Sequence, residues 1–361
     1  MDREIDVVYT WVDGANPNFR TEMCACLAGS LLPRNSLRSG LFRDNGELRY
    51  SLRSLEKFAP WIRKIFIVTN GESPTWLNLS DDRVSVITHD LIFTEKSDLP
   101  TFNTNAIEAN LHRIPELSRR FLYFNDDVFL GRPVFVEDFV TPSGGQYLYV
   151  DHALQSGWIP DEFVVDVSAQ SYTRSLVEGM CDHSISRLLP AHVPHLFDRE
   201  ILFRLEELLF EQFRETSSRR FRSPNDVLIP ILYSLYVSEV LGHEDGHRCR
   251  FLAPPQCFLP FGWRYDQLRR DLSNDQLRRD TVGKEQLEEL SGLHDYAMIV
   301  LNEQTWMMIR SLCAVRVFQP KFFSINDRLG EVSSQHPSFI CLRSLLRSYF
   351  PHRSSFEKSK D

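Results

Sequence analysis

Neither GxxxxGK[ST] nor GxGxxG occurs anywhere in this 361-residue sequence, so the two usual glycine-rich nucleotide cradles are excluded. A basic excess is also missing. With 41 Lys and Arg against 49 Asp and Glu, the net charge is −8, which argues against a nucleic-acid binder, whose affinity rests on neutralising phosphates. An acidic chain that handles an anionic substrate must gather its cations locally. The richest apolar run, VLIPILYSLYV from Val227 to Val237, falls short of the ~20 residues that cross a bilayer. The opening MDREIDVVYTWVDG lacks the apolar core of a signal peptide. The expectation is a cytoplasmic chain with no membrane segment and no nucleic-acid partner. No two of the seven cysteines stand in CxxC spacing, which excludes the common structural zinc sites. Their odd number fits reduced thiols, although an oxidising lumen would allow one bridge, such as Cys249 to Cys257. The sequon Asn78-Leu79-Ser80 points weakly toward such a lumen.

What the first part of the chain does have is an alternation of strand and helix signals. DVVYTWV (Asp6 to Val12), KIFIVTNG (Lys64 to Gly71), RVSVITH (Arg83 to His89) and RFLYFNDD read as four strands. GELRYSLRSLEKFA (Gly46 to Ala59) spaces Leu48, Leu52, Leu55 and Phe58 helically. TNAIEANLHRI predicts a helix from Thr104 to Ile114, ended by Pro115. Strands alternating with helices predict an α/β fold with a mostly parallel sheet and helices on both faces. Residues 1–145 form this part, and residues 146–361 a mainly helical part that completes a single unit. In the latter, Gly144 to Ser171 reads as irregular. Asp198 caps a helix with an apolar stripe of Ile201, Leu202, Leu205, Leu208 and Leu209, and Glu206, Glu207 and Glu211 form its solvated face. Another helix starts near Asn225. Tyr265 to Leu290, which repeats DQLRRD once, reads as an exposed, charge-laced helical element. PSFICLRSLLRSYF is a final helix, followed by a polar tail expected to fray.

Four groups of residues carry chemistry. Asn125, Asp126 and Asp127 stand where the fourth strand runs out, at the edge where open α/β sheets bind ligands. Adjacent carboxylates there can hold Mg²⁺ against a diphosphate, yet Asn and Asp also favour plain turns. Asp6, Trp11, Asp13 and Gly14 belong to the first strand and its turn. His192 and His195, in PAHVPH, offer an imidazole base or merely mark a helix entry. Asn326 and Asp327, in INDR, echo the earlier Asn-Asp pair. Arg219, Arg220 and Arg222 are a compact basic group that could equally be solvated. Taken together, carboxylates for a metal, an imidazole for a proton and a guanidinium for phosphate are the parts phosphoryl transfer requires.

The blocks DVVYTWVDG, ELRYSLRSLEKFAPWIRKIFIVTNG, LPTFNTNAIEANLHRI, FLYFNDDVFLG, PAHVPH and PKFFSIND, in that order, resemble the successive blocks of the Stealth family. That family includes the catalytic subunit of the Golgi N-acetylglucosamine-1-phosphotransferase and bacterial capsule sugar-1-phosphate transferases. The resemblance covers Asp6 to about Gly145, about Arg187 to Asp226, and Gln319 to Phe356; the segment Glu239 to Asn302 has little that matches. It implies a Rossmann-like or GT-A-like nucleotide-sugar core in residues 1–145 and a cofactor of Mg²⁺ or Mn²⁺. It also implies transfer of a sugar 1-phosphate, with N-acetylglucosamine 1-phosphate the expected group, from a UDP-sugar to a glycan or polysaccharide hydroxyl, releasing UMP. His192, Arg222, Asp126 and Glu108 fall on positions implied to be catalytic, with His192 the base. Asp127 and Asp327 also fall on family positions linked to activity and are the expected metal ligands. Asp6 and Asn326 also fall on family positions linked to activity, and with Trp11, Asp13, Arg53 and His195 they are the expected substrate-binding residues. A homodimer is one expected assembly, and the Golgi lumen is the alternative location if the chain is part of a longer anchored protein. The chain lacks the cysteine-rich and calcium-binding insertions of the animal enzyme, which puts recognition of lysosomal proteins in doubt. A metal-dependent glycosyltransferase releasing UDP and a non-catalytic sugar-nucleotide-binding module are the competing readings.

Overall fold

The computed structural model describes residues 4–28, 39–151, 164–186, 189–242, 247–251, 287–289, 295–302, 305–330, 332–333 and 335–359. The described strands are β1 (Ile5–Thr10), β2 (Ile65–Thr69), β3 (Val84–Thr88), β4 (Arg120–Asn125), β5 (Val128–Leu130), β6 (Tyr147–Asp151), β7 (Leu189–Pro190), β8 (His195–Asp198), β9 (Arg248–Phe251), β10 (Leu287–Glu289), β11 (Tyr296–Leu301) and β12 (Phe322–Asp327). The described helices are α1 (Pro17–Leu27), α2 (Glu47–Phe58), α3 (His89–Ile92), α4 (Thr104–Glu108), α5 (Val164–Glu178), α6 (Arg199–Leu208), α7 (Phe210–Ser218), α8 (Ile229–Leu235), α9 (Thr305–Phe318) and α10 (Pro337–Tyr349).

Every residue of β1 and β2 is buried, as expected of parallel strands covered on both faces. The main sheet runs β3-β2-β1-β4-β8, with the first four strands parallel and β8 antiparallel to β4. Side chains alternate across it. Val8, Phe66, Val68 and Tyr123 pack with Leu202, Leu205 and Leu232, while Val7, Tyr9, Ile67 and Phe124 pack with Leu48, Leu52 and Leu55 of α2. The α/β fold with a mostly parallel, helix-covered sheet is therefore the observed one. The part after residue 145 adds strands as well as helices: β8 completes the main sheet, and β6, β7, β9 and β10 form a second. A third sheet, β11-β12-β5, pairs Ser324 with Val128. Ile325 N then donates to Asp127 O at 3.0 Å, so β12 runs to the turn that holds Asp126 and Asp127.

Several local expectations give way to identifiable competitors. The helix expected to reach Ile114 stops at Glu108, and Leu111–Arg113 form a separate 3₁₀ turn. Asn110 Nδ2 takes the Ala106 carbonyl at 2.8 Å, the acceptor its own amide would use in a continuing α-helix. The long helix after Asp198 breaks at Leu209, whose φ, ψ of −122°, 40° are non-helical; Asp198 caps α6 as expected, accepting from Glu200 N. Glu206 is not a solvated residue, because it pairs with Arg113 and lies 2.9 Å from His112 Nε2. The stretch read as irregular contains β6 and the start of α5. The element expected over Tyr265 to Leu290 lies outside the described residues apart from β10. Cys249 is a buried free thiol, and Cys257 lies outside the described residues.

Over its described residues the polar tail is docked rather than frayed. Ser354, Phe356 and Glu357 are buried, and Glu357 accepts from Arg53 Nε at 2.6 Å and Nη2 at 2.9 Å. Arg53, expected to bind substrate, spends its fork on the tail, and its Nη1 donates to Phe350 O. Glu357→Ala should lower unfolding free energy by about 3 kcal/mol, because it leaves a nearly buried guanidinium without its partner. Urea denaturation checks this. Burial alone would raise the Glu357 pKa, but Arg53 and the Ser354 amide outweigh it and the net shift is downward. The stabilisation is therefore full above the ordinary carboxylate range and fades as pH falls through the depressed folded value.

Candidate active site

The carboxyl ends of β1 and β4 lie side by side, with Thr10 opposite Asn125 in register. Between them, Thr10 Oγ1 lies 3.1 Å from the Tyr123 hydroxyl, Asn125 Nδ2 donates to that hydroxyl at 3.0 Å, and the hydroxyl donates to Glu108 Oε1 at 2.8 Å. Glu108 is the last residue of α4 and is buried. Burial pushes its pKa up to about 7, against the pull of the Tyr123 hydrogen bond and of the Arg222 and His192 charges. Glu108 thus sits beside the carboxyl ends of β1 and β4, the edge beyond which open α/β sheets bind ligands.

His192 precedes β8 and reaches Asp127, its Nε2 3.1 Å from Oδ1. The two side chains keep 37 % and 29 % of their surface open, so the pair faces solvent. Burial works against charge on His192, but the Asp127 charge and hydrogen bond, with Glu108, outweigh it and raise its pKa. His195 sits in β8 opposite Tyr123 and stacks on Phe197 with centroids 5.9 Å apart. Burial, then the neighbouring His192 charge, pushes it down to about 3, so its ring is neutral across the physiological range. Two histidines three residues apart have been given opposite protonation behaviour by their surroundings.

Arg222 donates from Nη1 to Asp166 Oδ1 at 3.1 Å. None of the neighbouring arginines is merely solvated: Arg220 binds the Ser97 and Leu99 carbonyls, and Arg219 pairs with Glu215 and Asp226.

On the opposite face of the sheet edge is a set of carboxylates that the sequence reading missed in part. Burial raises Asp126 well above its ordinary value, and the charges of Asp127, Glu47 and Asp44 raise it further. Glu47 is pushed up to about 8 by burial and then by Asp44. Trp11, buried at the end of β1, donates from Nε1 to Asp44 Oδ2 at 3.3 Å. Asp13 turns back on Ala15 N, and Gly14 packs where an added Cβ would fall 2.1 Å from Phe42 O, so only glycine fits. Asp44 and Glu47 were detectable in DNGE at the start of α2, where acidic residues suit a helix N-terminus, but nothing in the sequence tied that turn to Asp126.

Two of the expected site residues are engaged by partners of their own. Asp6 lies at the amino end of β1, the far edge from this site, with no exposed surface. It accepts from Arg63 through Nε at 2.8 Å and Nη2 at 2.5 Å, and from Ser118 N, so it anchors the strand. Asp327 is not an open metal ligand: Arg43 Nη1 donates to its Oδ2 at 2.6 Å and Leu329 N to its Oδ1 at 2.9 Å. Asn326 precedes it at the end of β12, half-buried. Among the described residues no three His, Cys, Asp or Glu side chains stand where they could hold a metal ion, and none of the helices is long and apolar enough to cross a membrane.

Three family models match the chain: Stealth protein CR1, conserved region 1, over residues 3–30; CR2, conserved region 2, over 41–148; and CR3, conserved region 3, over 191–239. An exopolysaccharide phosphotransferase of Streptomyces coelicolor is 41% identical over 249 residues, which is 68% of this chain and 42% of that protein. The human N-acetylglucosamine-1-phosphotransferase subunits alpha/beta are 55% identical over 109 residues, 30% of this chain and 9% of that protein. This chain spans less than half the length of the curated relatives it matches. Among solved structures, a galactosyltransferase in complex with donor and acceptor sugar analogues aligns over 97% of both chains at 10% identity and a TM-score of 0.41.

Proposed function

The chain belongs to the Stealth family, and from that premise we propose that it transfers a sugar 1-phosphate from a UDP-sugar to a glycan hydroxyl. The observation that carries the proposal is the Asp127–His192 pair at the carboxyl edge of the sheet, with buried Glu108 bonded to Tyr123 of β4 and the loop of Arg222 bonded to the segment that begins α4. The relatives named as exopolysaccharide phosphotransferases and N-acetylglucosamine-1-phosphotransferase support it. The acceptor oxygen attacks the β-phosphorus, the bond from that phosphorus to the bridging oxygen breaks, and its electron pair leaves with UMP. The sugar C1–O bond stays intact, so anomeric configuration is kept. His192, with Asp127 holding the Nε2 proton, takes the hydroxyl proton on Nδ1. Arg222, whose planar fork suits phosphate, exchanges Asp166 for the phosphoryl oxygens as charge develops. Glu108 balances the charges of Arg222 and His192, and Tyr123 fixes its orientation. Trp11 and Asp13 line the approach to the nucleotide.

The chemistry of the donor set fits Mg²⁺ or Mn²⁺: half-buried Asp126 and buried Glu47, with pKa values raised by burial and by neighbouring carboxylates, favour a cation of hard-oxygen preference. Asp127, with Asp126 beside it, would hold the ion. When bound, it neutralises the donor diphosphate.

Incubation with a panel of UDP-sugars, Mg²⁺ and an oligosaccharide acceptor, followed by mass spectrometry, tests the proposal. UMP and a phosphodiester product are expected, with UDP-N-acetylglucosamine the preferred donor. UDP and a glycoside would identify a glycosyltransferase, and binding without turnover a non-catalytic module; either outcome overturns the proposal.

A further inference from the structure

The segment 102–105 and the loop 219–226 are far apart in sequence and locked together in space. Phe102 N donates to Arg220 O at 2.7 Å, and the Phe102 and Phe221 rings stack with centroids 5.2 Å apart. Asn103, fully buried, does two jobs at once. Its Oδ1 accepts from Asn105 N at 3.1 Å and caps α4, the helix that ends in Glu108. Its Nδ2 donates to Asp226 Oδ2 at 2.9 Å and lies 3.3 Å from the Arg219 and Phe221 carbonyls. Asp226 is fully buried too. The same Oδ2 also accepts from Asn105 Nδ2 at 3.2 Å and Ser223 N at 2.9 Å, and Arg219 Nη1 approaches Oδ1 at 3.4 Å. Arg222 stands in the middle of the loop these bonds tie down.

A buried carboxylate costs several kcal/mol unless its oxygens are satisfied. Here four donors satisfy it, three of them on one oxygen, and they come from both segments. The arrangement is therefore specific to an acceptor-only group at position 226 facing an amide at 103. Both side chains are fully buried, so substrate contact does not account for them. The consequence is geometric. α4 presents Glu108, one turn beyond Asn105, and the loop presents Arg222, whose charge reaches Glu108.

We propose that Asn103 and Asp226 are a buried positioning pair that sets Arg222 against Glu108, so that the phosphate-binding arginine is placed by the cap of the helix carrying the carboxylate. The role assigned to Arg222 rests on the function proposed above; the clamp itself does not.

Asn103→Asp tests this with little change of shape. Aspartate still caps α4, but its donors are gone and a second carboxylate meets Asp226. The kcat for sugar-phosphate transfer should fall at least about tenfold, with the KM for the UDP-sugar within about twofold, since small displacements of a catalytic group cost rate steeply. Asp226→Asn alone should also lower kcat, and the exchanged pair Asn103→Asp with Asp226→Asn should recover part of the loss by restoring one donor to one acceptor. In an Arg222→Ala background, Asn103→Asp should cost less than about twofold more. Additive losses in that background, or wild-type kcat in Asn103→Asp, overturn the proposal. If Asn103→Asp does not fold, Asn105→Ala, which removes a single donor, takes its place with a smaller expected loss of the same kind. Amide hydrogen exchange over 219–226 separates the clamp from the reaction. It should quicken in each single variant and slow again in the exchanged pair, whatever the enzyme transfers; unchanged exchange sinks the clamp. A wild-type enzyme that makes no phosphodiester sinks the function instead.

Discussion

Glu108→Gln should yield a protein that is inactive yet more stable than the wild type at pH 8. Burial holds the Glu108 carboxyl at a pKa of about 7 against an ordinary value of 4.5. A raised carboxylate carries its proton in the folded state when the unfolded chain has already lost it. Folding stability is therefore unaffected below about pH 4 and falls as pH rises between the two values. The penalty levels off above pH 7. At about 1.4 kcal/mol per unit, the shift amounts to about 3 kcal/mol at pH 8. Glutamine keeps the oxygen that accepts from Tyr123 but never ionises, so it escapes that cost. Transfer should fall by at least about a hundredfold, because Arg222 and His192 lose the charge they face. Urea denaturation of both proteins at pH 5 and pH 8 checks the stability half. The gap between variant and wild type should widen with pH. Equal stability at both values would mean that Glu108 titrates normally and is not the strained group the buried geometry makes it.

The parts of this site legible in the sequence are those built from local signals. FLYFNDD announces a buried strand that runs out in carboxylates, and that is where Asp126 and Asp127 stand. DREI announces a capped helix, and Asp198 caps it. What could not be read are partnerships across long separations. Asp6 and Arg53 look like free chemical groups in sequence. One is spent on Arg63 and the other on Glu357, 304 residues away. Asp327 looks like a twin of Asp127, but Arg43, 284 residues earlier, has claimed it. The rule behind these misses is that a charged side chain in a buried position must be satisfied, and sequence spacing does not say by whom. The same rule explains what the sequence hid in the other direction. In PTFNTN, at the start of α4, no local signal marks the asparagines as the donors that make a buried Asp226 tolerable.

Asp127→Asn and His192→Ala should each reduce transfer by at least about a thousandfold, and the double variant should be no slower than the slower single one. Groups that act as a unit are strongly non-additive. The 3.1 Å contact between Asp127 Oδ1 and His192 Nε2 makes these two such a unit. Asp127 fixes the tautomer that leaves Nδ1 as proton acceptor, and its charge raises the His192 pKa. The asparagine of the Asp127→Asn variant can instead offer its amide nitrogen to Nε2, which would turn the ring's acceptor away from the hydroxyl. Losing the carboxylate also moves the His192 pKa down, so residual activity in Asp127→Asn should persist to lower pH than in the wild type. His192→Ala should still bind UDP-sugar, since ground-state binding does not need the proton acceptor, and its deficit should shrink at high pH, where the acceptor hydroxyl needs less help. His195→Ala is the control. Its ring is neutral and stacked on Phe197, so that variant should keep a measurable rate and the wild-type pH profile. Calorimetric titration with UDP-sugar beside a pH–rate series for all four variants decides the matter. Multiplicative losses in the double variant would assign Asp127 and His192 to separate steps. An active His192→Ala beside an inactive, folded His195→Ala would move the base to the His195 ring.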